Sequence, residues 1–103
     1  MMSTLMKIVD YGPQSWFLLK SEANYYLSVR CQQSFAEYEL LIQLNPDEWR
    51  EYHALGHVYI DYLAARVSYW AREYHNRDLS KQLSSQVSQA FEEWKANQVA
   101  EAV

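Results

Sequence analysis

From Ser15 to Leu44 the apolar positions recur with a period of two, the spacing of side chains on the faces of a β-strand. Ser15-Trp16-Phe17-Leu18-Leu19-Lys20 is a short run of strand formers that is apolar on both faces. After the polar break Ser21-Glu22-Ala23-Asn24, Tyr25, Leu27, Val29 and Cys31 alternate with Tyr26, Ser28, Arg30 and Gln32. A second break, Gln32-Gln33-Ser34, precedes Phe35 to Leu44. There Tyr38, Leu40, Ile42 and Leu44 share one face, and Glu37, Glu39, Leu41 and Gln43 the other. Breaks this short join antiparallel neighbours, since a parallel crossover needs about a dozen residues. Residues 15–44 are therefore expected to form a three-stranded antiparallel β-meander. Residues 5–9 (Leu-Met-Lys-Ile-Val) fit either an added edge strand or a segment lying along the core.

The period then changes to that of a helix. Asn45 suits the N-cap, Pro46 the first helical position and Glu48 the third, and Leu44 with Trp49 can form a hydrophobic staple. Trp49, Tyr52, Gly56, Tyr59, Ile60, Leu63, Val67, Trp70 and Tyr74 then fall along one helical face, which predicts a long amphipathic helix over 45–75. Gly56, inside that stripe, costs roughly 1 kcal/mol against Ala and is expected to let the backbone approach the sheet. His75-Asn76-Arg77-Asp78 interrupts the pattern. Asp78 can cap a second helix over 78–95, with Leu79, Leu83, Val87, Ala90, Phe91 and Trp94 inward and residues 96–103 as a frayed tail. No linker or repeat divides the chain. The expected fold is one α+β domain: residues 1–14 as an N-terminal segment, a three-stranded sheet, then two helices packed on one of its faces.

Composition narrows the function classes. The 103 residues carry 9 basic and 13 acidic side chains, a net charge of −4, and include 4 Trp, 9 Tyr and 3 Phe beside only 2 Gly and 2 Pro. An acidic chain is poorly suited to the phosphate backbone, so no nucleic-acid partner is expected. The single cysteine, Cys31, excludes an intrachain disulfide; on the inward face of its strand it reads as a buried, inert thiol. With two glycines there is no phosphate-cradling loop and no nucleophile elbow. No apolar run reaches the ~20 residues of a membrane helix, and the N-terminal segment lacks the apolar stretch of a signal peptide. A soluble cytoplasmic protein is expected.

One cluster has the spacing of a chemical site. His53, His57 and Asp61 follow at i, i+4 and i+8 on the long helix, where two imidazoles and a carboxylate can face one divalent metal or do acid–base work. The glutamate that follows the first histidine in zincin helices is absent, position 54 being Ala. An ordinary His57–Asp61 helix-surface pair accounts for the spacing better.

Charge distribution carries more. From Phe35 to Asp61 six carboxylates face one base, Arg50, whereas from Tyr62 to Lys81 four bases face two carboxylates. Asp47 and Glu48 complement a helix dipole, but Glu37 and Glu39 share a strand face with Leu41, beside Phe17, Leu19 and Tyr26. Carboxylates interleaved with aromatics suit a basic protein surface: opposite potential speeds encounter and aromatic anchors supply affinity. A half-covered sheet back is the competing reading of that face.

Several runs together resemble a family of small bacterial immunity proteins that accompany polymorphic toxins, including contact-dependent growth inhibition systems. They are Ser15-Trp16-Phe17-Leu18-Leu19, Tyr25-Tyr26-Leu27-Ser28-Val29-Arg30-Cys31, Tyr38-Glu39-Leu40-Leu41-Ile42-Gln43-Leu44-Asn45, Tyr59-Ile60-Asp61-Tyr62-Leu63-Ala64 and Arg77-Asp78-Leu79-Ser80. The similarity covers about residues 14–94. It implies a cytoplasmic, cofactor-free protein that is not an enzyme and that binds one cognate toxin domain, often a nuclease, over its active site. Glu37, Glu39, Glu48, Glu51 and Asp61 would then supply the field, and Tyr26, Trp49 and Tyr52 the anchors, with the chain itself a monomer or weak dimer. Two other readings stay open: a small metal-dependent or acid–base enzyme using His53, His57 and Asp61, and a regulatory subunit that dimerises through its aromatic helix face.

Overall fold

Among the described residues four strands, not three, build the sheet. In the computed structural model, which describes residues 5–12, 15–33 and 36–102, β1 (Lys7–Gly12), β2 (Trp16–Ser21), β3 (Asn24–Gln33) and β4 (Ala36–Gln43) pair antiparallel in the order β1-β2-β3-β4. The meander of β2, β3 and β4 follows the alternation of its residues. The expected start of the last strand at Phe35 lies outside the described residues. The open choice for residues 5–9 resolves as a strand: β1 takes up Lys7 to Val9 and runs on to Gly12. Its alternation is broken by a register shift between Ile8, opposite Leu19, and Asp10, opposite Leu18. That bulge puts Ile8 in the core on one sheet face and turns Asp10 to the other. The β2–β3 hairpin turns through Glu22 and Ala23, with Glu22 at φ 57.

Among the described residues the α-helices number four and cover both faces, which corrects the expected pair on one face. Asn45 caps α1 (Pro46–Leu55) with a complete capping box: its side chain accepts from Glu48 N at 2.8 Å, and Glu48 Oε1 accepts from Asn45 N at 2.9 Å. The long helix then breaks at Gly56, whose φ of 71° and ψ of −143° favour a residue without Cβ. Nothing lies within 4 Å of a Cβ built there, so Gly56 serves the bend and not a close approach to the sheet. After it, α2 (His57–Tyr69) runs to a second break at Trp70, followed by the single turn α3 (Ala71–Tyr74) and a 3-10 turn, His75–Arg77. The inward residues Ile60, Leu63, Ala64 and Val67 of α2 meet Trp16, Leu18, Leu27, Val29, Leu40 and Ile42 of the sheet in the larger core.

The chain next passes round the outer edge of β4. Leu41 N donates to Asp78 Oδ1 at 3.0 Å and Leu79 N donates to Leu41 O at 2.7 Å, so a loop pairs with part of the edge that β4 exposes. Asp78 is thus an edge clamp and not the cap of a helix. The last helix, α4 (Ser84–Ala102), starts six residues after the expected position and stays helical through most of the tail expected to fray. It lies on the opposite face, where Leu19, Leu41, Met6 and Ala90 form a second core with Ile8, Phe17, Tyr26 and Val87 against it. The physical reason is legible in Phe17, Leu19 and Leu41, apolar residues on a face that two helices on the other side leave wet. Among the described residues no helix is long and apolar enough to cross a membrane.

Candidate interaction surface

The residues expected to meet a partner divide among three places. On α1, Trp49 faces outward, 41% exposed, its indole stacked on His53 at 3.9 Å. His53 Nδ1 lies 2.8 Å from Trp49 O, which locks the stack one helical turn long. Glu51, Asp47 and Arg50 stand exposed on the same helix, the last two paired. Tyr52 instead leans into the larger core and meets Tyr25 edge-on at 5.2 Å. Burial pushes its phenol upward, assisted by Tyr25 and Asp10.

Glu48 is turned inward. Its side chain is 10% exposed and is held by Arg77 from the 3-10 turn, at 2.6 Å from Nη2 to Oε1 and 3.0 Å from Nη1 to Oε2. Arg77 Nη2 also donates to Gln43 O at 2.9 Å. The guanidinium therefore fastens the start of α1, the end of β4 and the 3-10 turn to one another. This bidentate geometry is a structural clasp and leaves Glu48 little to offer a partner.

Glu37 and Glu39 lie on the α4 side of the sheet. Glu39 sits opposite Arg30 across β3 and borders two shallow crevices, one reaching Ser15 and Phe17, the other Ser80, Ser84 and Ser88. Tyr26 is on this face too, half-buried in the second core. The acidic stretch seen in the sequence is thus split between the sheet's two faces.

Asp61 belongs to a third group, at the seam between β1, β2 and α2. Its Oδ1 accepts from the indole Nε1 of buried Trp16 at 2.8 Å, and its Oδ2 lies 3.3 Å from His57 Nε2. The other ring nitrogen, Nδ1, is 2.9 Å from Asp10 Oδ2. The imidazole pKa rises above 6.5, chiefly through the Asp10 hydrogen bond; desolvation opposes this, and the charges of Asp10 and Asp61 add to it. His57 thus bridges two carboxylates, one through each nitrogen. The i, i+4, i+8 cluster does not assemble, because His53 turns away onto Trp49. Among the described residues no group of three His, Cys, Asp or Glu side chains is arranged to hold a metal ion. Cys31 is buried, and burial followed by the nearby Asp78 charge raises its thiol pKa, the opposite of what a nucleophile needs.

Asp10, Trp16 and Arg77 escaped the sequence reading because each acts across long sequence separations. A further set was legible and overlooked. Val58, Tyr62, Ala65 and Tyr69 repeat at i, i+4, i+7 and i+11, a second apolar stripe on α2. Comparison with known proteins finds no matching family model, no matching curated protein and no matching solved structure.

Proposed function

We propose that this chain is a protein-binding module of the immunity type, which neutralises a cognate toxin domain by covering it. The observation that carries the reading is Trp49: a large aromatic held outward in one rotamer by His53, on a helix whose neighbours Asp47 and Glu51 are acidic. A pre-ordered exposed indole loses little conformational freedom on binding and is the residue type that dominates interface energetics. Asp47 and Glu51, exposed on the same helix though turned round it from Trp49, add a negative field that favours a basic partner, and a nuclease domain, whose cleft must attract phosphates, has that charge. The contact is centred on Trp49, with Glu51 supplying field from further round the helix, while Glu48, Tyr52 and Tyr26 hold the frame. Glu37 and Glu39, on the far face of the sheet, serve only a partner that reaches round the β4 edge. No cofactor, metal or catalytic step enters this scheme, and the protein would act in the cytoplasm where such a toxin arrives.

The test is co-expression and pull-down with the protein encoded immediately upstream, followed by binding kinetics. Trp49→Ala is expected to weaken the complex by roughly 30-fold, the effect of losing an interface anchor. Glu51→Arg should slow association and flatten its salt dependence. Unchanged kinetics in both variants would remove α1 as the contact surface, and absence of any complex would remove the reading.

A further inference from the structure

Helix α2 is apolar on two opposite sides. Ile60, Leu63, Ala64 and Val67 point into the core, at most 3% exposed. Half a helical turn away, Val58, Tyr62, Ala65 and Tyr69 form a continuous outward stripe with no charged residue in it. Leu55, at the end of α1, and Trp70, whose ring meets Tyr69 edge-on at 4.8 Å, lengthen it at either end. The five large residues of this strip are between 50% and 77% exposed. The outward side of a surface helix is ordinarily polar.

We propose that a second copy of this chain docks on this stripe, α2 against α2, antiparallel across a two-fold axis. Area favours it first. Whole aromatic side chains present about 150–250 Å² each, so at these exposures the strip offers roughly 600 Å². Two copies would then bury on the order of 1,200 Å², the lower bound of a specific interface. Shape agrees. A dyad at the level of Leu63 and Ala64 sets Tyr62 opposite the partner's Ala65 and Val58 opposite the partner's Tyr69, a larger side chain against a smaller one at each level. The same strip serves both copies, as an isologous contact requires.

Charge supplies the third argument and selects the antiparallel sense. The segment leading into and starting α2 holds Asp47, Glu51 and Asp61 against Arg50, which pairs with Asp47, whereas Arg66 and Arg72 against Glu73 lie towards and beyond its end, so the two ends keep opposite net charge. Antiparallel copies bring the acidic end of each beside the basic end of the other and align the two helix dipoles favourably; parallel copies stack like on like. The stripe lies mainly on α2, with only Leu55 from the helix that carries Trp49, and the substituted positions Val58, Tyr62 and Tyr69 stand outside the proposed toxin contact, so the two readings are tested apart.

Sedimentation equilibrium of the full chain, from low to high micromolar concentration, reads the association. The expected mass at the upper end is twice the 12.2 kDa of the chain, with dissociation favoured several-fold on going from low to high salt. Tyr62→Arg and, independently, Val58→Lys should each give a monomer with unchanged circular dichroism and, at low micromolar concentration where wild type is dissociated, an unchanged urea midpoint, because both positions are exposed. Mixed and oxidised, Val58→Cys and Tyr69→Cys variants should cross-link to each other in preference to themselves; Cys31 is buried and does not compete. A wild-type monomer throughout the range, or dimers that survive both charged substitutions, overturns the proposal. Preferential self-cross-linking overturns the antiparallel arrangement.

Discussion

Arg77→Met isolates the clasp that joins β4, α1 and the 3-10 turn. The substitution keeps most of the side-chain volume and deletes three hydrogen bonds, two to Glu48 and one to Gln43 O. Glu48 is left with the Asn45 amide as its single remaining donor, on a side chain only 10% exposed. Removing one partner from a fully buried pair costs about 3–5 kcal/mol, most of it the unpaired charge. Arg77 is 30% exposed, so water can reach this site and lower the penalty. We expect ~2–3 kcal/mol, a drop of roughly 10–20 °C in Tm for a domain of this size. Glu48→Gln, which keeps an acceptor for Asn45, should cost less, about 1–2 kcal/mol. The double variant should fall short of the sum by at least ~1 kcal/mol, since the two side chains act as one unit. Urea titrations followed by fluorescence of the four tryptophans give all three values. An Arg77→Met midpoint within ~0.5 kcal/mol of wild type, or strict additivity, would show a solvent-screened surface pair and refute the reasoning.

Stability should respond to His57. Its folded pKa lies above 6.5, so its contribution is fully present below the unfolded value near 6.5 and is lost as pH rises through the folded value. Urea midpoints should therefore fall from pH 6 towards alkaline pH in a step that Asp10→Asn reduces; an NMR titration placing His57 at or below 6.5 would contradict this. Gly12→Ala should destabilise by about 1–3 kcal/mol, because the new Cβ would sit 2.3 Å from the Trp16 indole nitrogen. That ring cannot easily yield, being buried and tied to Asp61; a thermal melt unchanged by the substitution would show that it does.

The sheet was legible where period two was clean. Tyr25 to Cys31 and Tyr38 to Leu44 appear as read, and so does the capping box at Asn45, since both signals are local. The spacing leaves β1 open because its bulge after Ile8 breaks the alternation, and a bulge is fixed by pairing with Leu18 and Leu19, not by its own sequence. The single helix expected over 45–75 is divided in the structure for a similar reason: apolar spacing continues through Gly56 and Trp70, while the backbone turns at both. A glycine in a helical stripe reads as a packing device, whereas Gly56 is a bend. For the surface, the sequence offers Trp49 both as a member of the apolar stripe and as a partner anchor, and the structure leaves it exposed. Residue type alone fails at Glu48, whose partner Arg77 arrives from 29 residues away, and at Glu37 and Glu39, which α4 separates from the rest by choosing the other face.

The loop that clamps β4 has a consequence for synthesis. A growing chain completes its sheet at Gln43, yet the donor and acceptor that close the edge at Leu41 come from Asp78 and Leu79. For the thirty-odd residues between, a nascent sheet exposes an unpaired edge with Leu40 and Ile42 on one side and Leu41 on the other, the arrangement that templates pairing with another chain. The order of the elements eases this interval. Helices α1 and α2 emerge next and cover the larger core before the clamp arrives, so that α4 docks last on a sheet whose outer edge is already partly closed.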